Sequence, residues 1–196
     1  MTYFGFLALF LVLPLIALGV ITFLDRRSGR ELPASLRTWP PAGVIAAHVL
    51  LAVIYTTPWD NYLVATGVWW YDPNLVSGVV LGWVPLEEYL FFVLQTILAG
   101  LWLLFLARRL RIEPMAGTAV AVSFLKSPAR VGSAILGGAI WVSSVFLLAS
   151  GWQPGTYLGL ILVWALPPIL LQLIFGADIL WHRRHLILAA LDRKSV

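Results

Sequence analysis

Apolar residues gather along the chain in five long runs separated by short polar gaps: about Thr2 to Leu24, Pro41 to Val68, Val84 to Ala107, Val131 to Ser150 and Thr156 to Gly176. Each is on the order of twenty residues long, enough for a helix to cross the hydrocarbon of a bilayer. Within lipid each backbone N–H and C=O must be paired inside the protein, so apolar runs of this length are helices. The pattern predicts an all-α, polytopic transmembrane helix bundle of five spans. A shorter stretch, His185 to Leu191, begins a partial sixth before the polar D-R-K-S-V end.

Composition agrees with the pattern. Of 196 residues, 61% are hydrophobic and 11% charged, with a mean hydropathy of +0.92. That is too little polar surface to cover a water-soluble globule, and it marks an integral membrane protein. Cysteine is absent, which excludes a disulfide framework, thiolate metal sites and a cysteine nucleophile. No G-x-G occurs, so neither a dinucleotide fingerprint nor a phosphate-binding loop is proposed.

The cations fix the topology. All thirteen Lys and Arg fall in the first gap (Arg26, Arg27, Arg30, Arg37), the third gap (Arg108, Arg109, Arg111, Lys126, Arg130) or after the fifth run (Arg183, Arg184, Arg193, Lys194). With five spans this is the positive-inside pattern: basic segments cytoplasmic, N-terminus outside, in the cell's inner membrane. The basic excess is therefore topology and implies no nucleic-acid partner. The first run has no basic residue before it, so it reads as a retained span and not a cleaved signal.

The acids divide in two. Asp25, Glu31, Glu113, Asp178 and Asp192 lie among the arginines, where ordinary ion pairs are expected. Asp60, Asp72, Glu87 and Glu88 fall on the other side, where no Lys or Arg exists to pair with them. Apolar surroundings without a cation disfavour the charged form of a carboxyl group.

Glu87 and Glu88 belong to the stretch W-V-P-L-E-E-Y-L-F-F, from Trp83 to Phe92, at the mouth of the third span. Pro85 suits a first-turn position, which puts both acids in the opening turn. Neighbours on a helix point about 100° apart, so the two do not share a proton, and one faces the interior while the other faces the interface. Glu88, Phe91, Phe92 and Gln95 recur at helical spacing and share a face carrying an acid, two rings and an amide. An acid at a helix N-terminus is also favoured by the helix dipole alone. Two adjacent acids, with Asp60 on the neighbouring span, favour the functional reading.

Between the second and third spans, Gly67 to Trp83 is rich in Gly, Pro and aromatics. It reads as a turn or short hairpin whose Trp and Tyr form an interfacial belt, or as rings that wall a pocket near the carboxylates. His48 stands about 18 Å along a helix from Asp60 and forms no acid–base pair with it there, so it reads as a hydrogen-bonded structural residue.

A short internal repeat is visible. At a constant offset, Thr2, Tyr3, Gly5 and Pro14 match Thr156, Tyr157, Gly159 and Pro168. The plan is three spans, a linking fourth, then a second set of three: a first repeat over 1–110, a linking segment with the fourth span over 111–155, and the start of a second repeat over 156–196. The counterparts of Glu87 and Glu88 would fall beyond Val196, so the expectation is a truncated product or a subunit completed by another chain. The small residues Gly132, Gly137, Gly138, Ser143 and Ser144 of the fourth span suit close helix packing.

P-L-E-E-Y-L-F-F at Pro85 to Phe92, Asp60 with G-V-W at Gly67 to Trp69, and T-Y-L-G-L-I-L-V-W-A-L-P-P from Thr156 resemble the integral-membrane lycopene cyclase family, found as bacterial heterodimers, archaeal single chains and the cyclase half of fungal fusions. The resemblance implies carotenoid biosynthesis: an acid-catalysed, redox-neutral cyclisation of the end groups of lycopene or a related acyclic carotenoid, with no cofactor and no metal. A proton added to the terminal trisubstituted alkene gives a tertiary cation, the neighbouring alkene attacks it, and loss of a proton closes the ring. A desolvated carboxylic acid suits the donor, and aromatic faces suit the cation. The residues implied are Glu88 or Glu87 as the acid, Asp60 as its partner, and Pro85, Phe91, Phe92, Trp69 and Gln95 around the substrate. The partners implied are the carotenoid, membrane lipid and a second cyclase subunit or second copy.

The rival reading is a small-molecule membrane transporter subunit, since repeats with midmembrane acids also suit carriers. A carrier wants polar residues at mid-depth, where this chain offers His48, Gln95, Gln172 and small hydroxyls. A retinal protein wants a lysine inside a late span, and a membrane prenyltransferase wants paired aspartate-rich motifs; neither is present. An inactive, truncated cyclase is the other alternative.

Overall fold

The first helix, α1 (Tyr3–Arg27), is capped by the Thr2 side chain, which accepts from the Gly5 N–H at 3.2 Å. It holds a π-helical stretch, Ala8–Val12, just before Pro14, with the Leu13 N–H reaching the Ala8 carbonyl five residues back. The wider turn brings the proline into the helix with the neighbouring carbonyls still engaged. A computed structural model describes residues 1–109 and 127–182. The sixth apolar stretch, His185 to Leu191, lies outside the described residues, as do Arg111, Glu113 and Lys126.

The remaining long helices are α2 (Pro41–Ala65), α3 (Leu86–Arg109), α4 (Pro128–Ala149) and α5 (Thr156–His182). Five helical segments are long and apolar enough to cross a membrane, so the protein is an all-α, polytopic bundle. The helices are apolar nearly all round, and side chains such as Leu9, Leu50, Leu103 and Phe146 point outward. In water that surface would be unstable; against lipid tails it is matched.

The chain divides into two compact units, Met1–Pro114 and Met115–Val196. In the first, α1 and α3 run parallel and α2 runs against them. Tyr3 meets Glu88 and Phe6 meets Phe91 at one end, while Thr22 and Asp25 meet Arg108 and Arg109 at the other. Asp25 accepts from both terminal nitrogens of Arg109, at 2.9 and 3.2 Å. All the paired arginines of this unit lie at that basic end. α2 crosses α3 at Gly100, where an added Cβ would lie 2.7 Å from Ile45.

At the opposite end α2 stops at Ala65, and Gly67, with a φ of 71°, turns the chain away in the left-handed conformation that suits glycine. The loop that follows closes in a two-stranded hairpin, β1 (Val80–Leu81) and β2 (Val84–Pro85). Gly82 is the first of its two turn residues with a φ of 69°, as a type II′ turn requires. Pro85 therefore stands in β2, paired with Val80, one residue before α3 begins. The two glutamates still fall in the opening turn of α3.

In the second unit α4 and α5 form an antiparallel hairpin. Arg130 and Asp178 join them at one end, at 2.7 and 3.0 Å, and the Trp141 indole N–H donates to the Val163 carbonyl at 3.1 Å midway. Of the small residues, Gly137 and Ser144 are buried in the seam, where a Cβ on Gly137 would meet Leu170; Gly132 and Gly138 face open space.

Candidate active site

Three elements bring one cluster together at the end of the first unit that lacks arginines. Tyr3 comes from the first turn of α1, Glu88 from the first turn of α3, and Tyr71 from the loop between α2 and the hairpin. The Tyr3 hydroxyl donates to Glu88 Oε2, and the Tyr71 phenol lies close to the same carboxyl. Asp60, in the last turns of α2, lies near enough for its charge to act on Glu88, Tyr3 and Tyr71. The ion pairs among the described residues join Asp25 to Arg30 and Arg109, Glu31 to Arg37, and Asp178 to Arg130. None involves Asp60, Glu87 or Glu88.

Rings continue the cluster one turn deeper. Phe6 lies 6.1 Å from Tyr3 and 6.5 Å from Phe91; Phe91 lies 6.2 Å from Phe92, which meets Tyr89 edge-on at 6.3 Å. The rings of Trp69 and Tyr71 are 6.4 Å apart and meet edge-on at 68°. Burial pushes the Tyr71 phenol above its ordinary range, and the carboxyl groups of Glu88 and Asp60 push it the same way.

The two adjacent glutamates part company. Glu88 is half-buried and faces the tyrosines, whereas Glu87 is 0% exposed and turns toward the loop, its Oε1 accepting from the Ser77 N–H at 2.5 Å. Asp72 is a turn residue, its Oδ1 accepting from the backbone and side-chain nitrogens of Asn74. Gln95 is exposed, one turn beyond Phe91 and Phe92. His48 contacts the Val44 carbonyl through Nδ1 at 2.7 Å, remote from the acids. In the loop Trp69, Trp70 and Trp83 are exposed, whereas Tyr71 is half-buried beside Glu88.

Two apolar clefts flank the α2–α3 pair nearer the basic end, of about 450 Å³ beside His48 and Thr96 and about 610 Å³ beside Val49 and Ile97. Neither is lined by Asp60 or Glu88. Sequence reading missed Tyr3 as a site residue. The available signal was its recurrence with Thr2 and Gly5 as Thr156, Tyr157 and Gly159, which marks the position without giving it a partner.

Fold and site together define a polytopic membrane protein with a carboxyl group, two phenols and a row of rings at one end of a three-helix unit. No protein-family model and no solved structure matches the chain. It is 38% identical over 193 residues to the lycopene beta-cyclase of Halobacterium salinarum, an alignment spanning 96% of this chain and 71% of that protein. It is also 39% identical over 118 residues to the bifunctional lycopene cyclase/phytoene synthase of Colletotrichum graminicola, covering 60% of this chain and 20% of that protein. With the protein of the same name from Phaeosphaeria nodorum the figures are 41% over 128 residues, 63% of this chain and 21% of the relative. The chain belongs to the lycopene cyclase family.

Proposed function

We propose that this chain is a carotenoid-biosynthetic enzyme that cyclises the end groups of lycopene, with Glu88 as the acid. The observation that supports the assignment is the hydrogen bond from the Tyr3 hydroxyl to Glu88, with Tyr71 and a second carboxyl close by, a row of rings one turn deeper, and no ion pair to Glu88 among the described residues. The terminal alkene of the substrate takes the proton of Glu88 and becomes a tertiary cation. The neighbouring alkene forms the ring bond to that carbon and passes the positive charge to its own far carbon. A carbon next to it then loses a proton, leaving a ring double bond. One proton enters and one leaves, so the reaction needs no net oxidant or reductant.

The Tyr3 and Tyr71 hydroxyls steady the carboxylate that the transfer leaves behind. Two carboxyls in one site repel each other when both are charged, so Glu88 and Asp60 hold one proton between them. Asp60 takes the departing proton and passes it back to Glu88, which restores the starting state. Phe91, Phe92 and Phe6 face the cation with electron-rich rings that do not trap it, at roughly 0.5 to 2 kcal/mol per contact. Trp69 holds Tyr71 in place.

The arginine-rich end faces the cytoplasm and the acidic site faces the opposite surface of the cell's inner membrane, with the N-terminus outside. Expression in a lycopene-accumulating bacterium, followed by pigment chromatography, tests the assignment. Cyclic carotenoids form with the parent chain, supplied with a second cyclase subunit where the chain requires one. They fall by about 10²- to 10⁴-fold with Glu88→Gln; unchanged turnover with that variant ends the assignment.

A further inference from the structure

The adjacent acid has no part in this chemistry, yet it is the most deeply buried carboxyl described. Glu87, Val84 and Pro85 are the largest side chains wholly enclosed by the protein, in a molecule that turns most of its apolar surface outward. Their lid is the loop. Ser77 donates its N–H to Glu87 Oε1 at 2.5 Å, and the Leu86 N–H donates to the Val79 carbonyl at 2.8 Å. Glu87 Oε2 is buried and has no hydrogen-bond partner among the described residues, so this side chain reaches neither tyrosine.

Tyr71 and Ser77 are the two ends of one compact turn. Within it the Leu75 N–H donates to the Asp72 carbonyl at 3.0 Å, and the Leu75 carbonyl accepts from the Tyr3 N–H at 2.8 Å. One end of the turn brings Tyr71 close to Glu88, and the other is held by Glu87 through the Ser77 amide. We propose that Glu87 is a positioning residue: through the Ser77 amide it pins the Tyr71–Ser77 turn onto α3 and so presents the Tyr71 hydroxyl to Glu88. A hydrogen bond from a backbone amide to a buried carboxyl oxygen suits this task, because breaking it leaves both groups unpaired in a dry place. The inference rests on the reading of Glu88 as the acid, but the closure of the turn can be measured without it.

The chain has no native cysteine, so Val84→Cys places a single thiol in the enclosed segment next to Glu87, to be labelled from outside by a membrane-impermeant maleimide. Labelling is slow in the parent and in Glu87→Gln, whose amide oxygen still accepts from Ser77. It rises about tenfold in Glu87→Ala. Ser77→Pro removes the donor and leaves both acids intact, and it speeds labelling to the same extent; this second variant tests the bond whether or not Glu87→Ala accumulates. Without the added cysteine, Glu87→Gln keeps turnover within about threefold of the parent, and Glu87→Ala loses about tenfold. Labelling that stays slow in Ser77→Pro and Glu87→Ala overturns the latch. So does a loss in Glu87→Gln as large as that in Glu88→Gln, which would place Glu87 in the proton transfer itself. Full turnover with Glu88→Gln would instead sink the acid assignment, while the labelling rates would still decide the latch.

Discussion

The Tyr3 hydroxyl reaches Glu88 across 85 residues of sequence, from the first turn of one helix to the first turn of another parallel to it. Tyr3→Phe keeps the ring against Phe6 and deletes the donor. Turnover is expected to fall about tenfold, the size of one hydrogen bond to a charged group. Tyr3→Phe with Tyr71→Phe should fall further than either alone. Initial rates of cyclic-carotenoid formation in isolated membranes measure both.

In the proposed mechanism Asp60 acts after ring closure. Asp60→Asn should slow turnover by about 10²-fold, less than Glu88→Gln, because Glu88 still carries the first proton. The same membrane assay compares the two. Equal losses would mean that the pair acts as one unit.

Tyr71 lies in the loop, and its folded-state phenol is held above the ordinary value of 10.0 by burial and by the nearby carboxyl groups. The neutral phenol is the form the folded loop favours. Its stabilisation is therefore fully present below the ordinary value and is lost as pH climbs through the raised one. Alkaline difference spectra should show one tyrosine fewer resisting ionisation in Tyr71→Phe than in the parent. Thermal stability in detergent should be unaffected by this group at neutral pH and below.

Gly82 combines a φ of 69° with contact to Asn61, whose Oδ1 would lie 2.2 Å from an added Cβ. That oxygen accepts from the Trp83 N–H at 2.7 Å, and the Asn61 amide also donates to Tyr89, whose hydroxyl donates to the Leu81 carbonyl. Gly82→Ala should therefore strain the turn by about 1 to 2 kcal/mol and displace the clamp. A lower thermal midpoint in detergent, with reduced turnover, is the expected result.

In the second unit, Asp178→Asn removes the partner that accepts from Arg130 at 2.7 and 3.0 Å. Arg130 is 7% exposed at its side chain, so replacing the charged acceptor of this buried pair costs about 2 kcal/mol. Detergent unfolding curves check it.

What the sequence disclosed follows from how local each signal is. The five spans were readable because length and apolarity are properties of a single segment, and the lack of cations around Asp60 and Glu88 because charge placement needs no contact map. The 100° between neighbouring helical positions foretold that Glu87 and Glu88 would separate. It could not say which would meet the tyrosines, since that depends on where a loop returns. Pro85 was expected inside the helix and stands in β2, because pairing with Val80 takes the residue before the first turn. Gln95 shares a face with Glu88 by spacing yet is exposed: periodicity defines a face and leaves open which neighbour covers it. Tyr3 was invisible as chemistry because its partner lies on another helix.

The widened stretch at Ala8–Val12 lies between Tyr3 and the rest of α1, and it amounts to one residue inserted into an otherwise regular spiral. Were the same residues wound evenly, with no widened turn to absorb the extra one, the tip of the helix would swing by about 100°, carrying the phenol off its acid. The position of the Tyr3 hydroxyl against Glu88 thus depends on an irregularity of spacing several residues further along the helix.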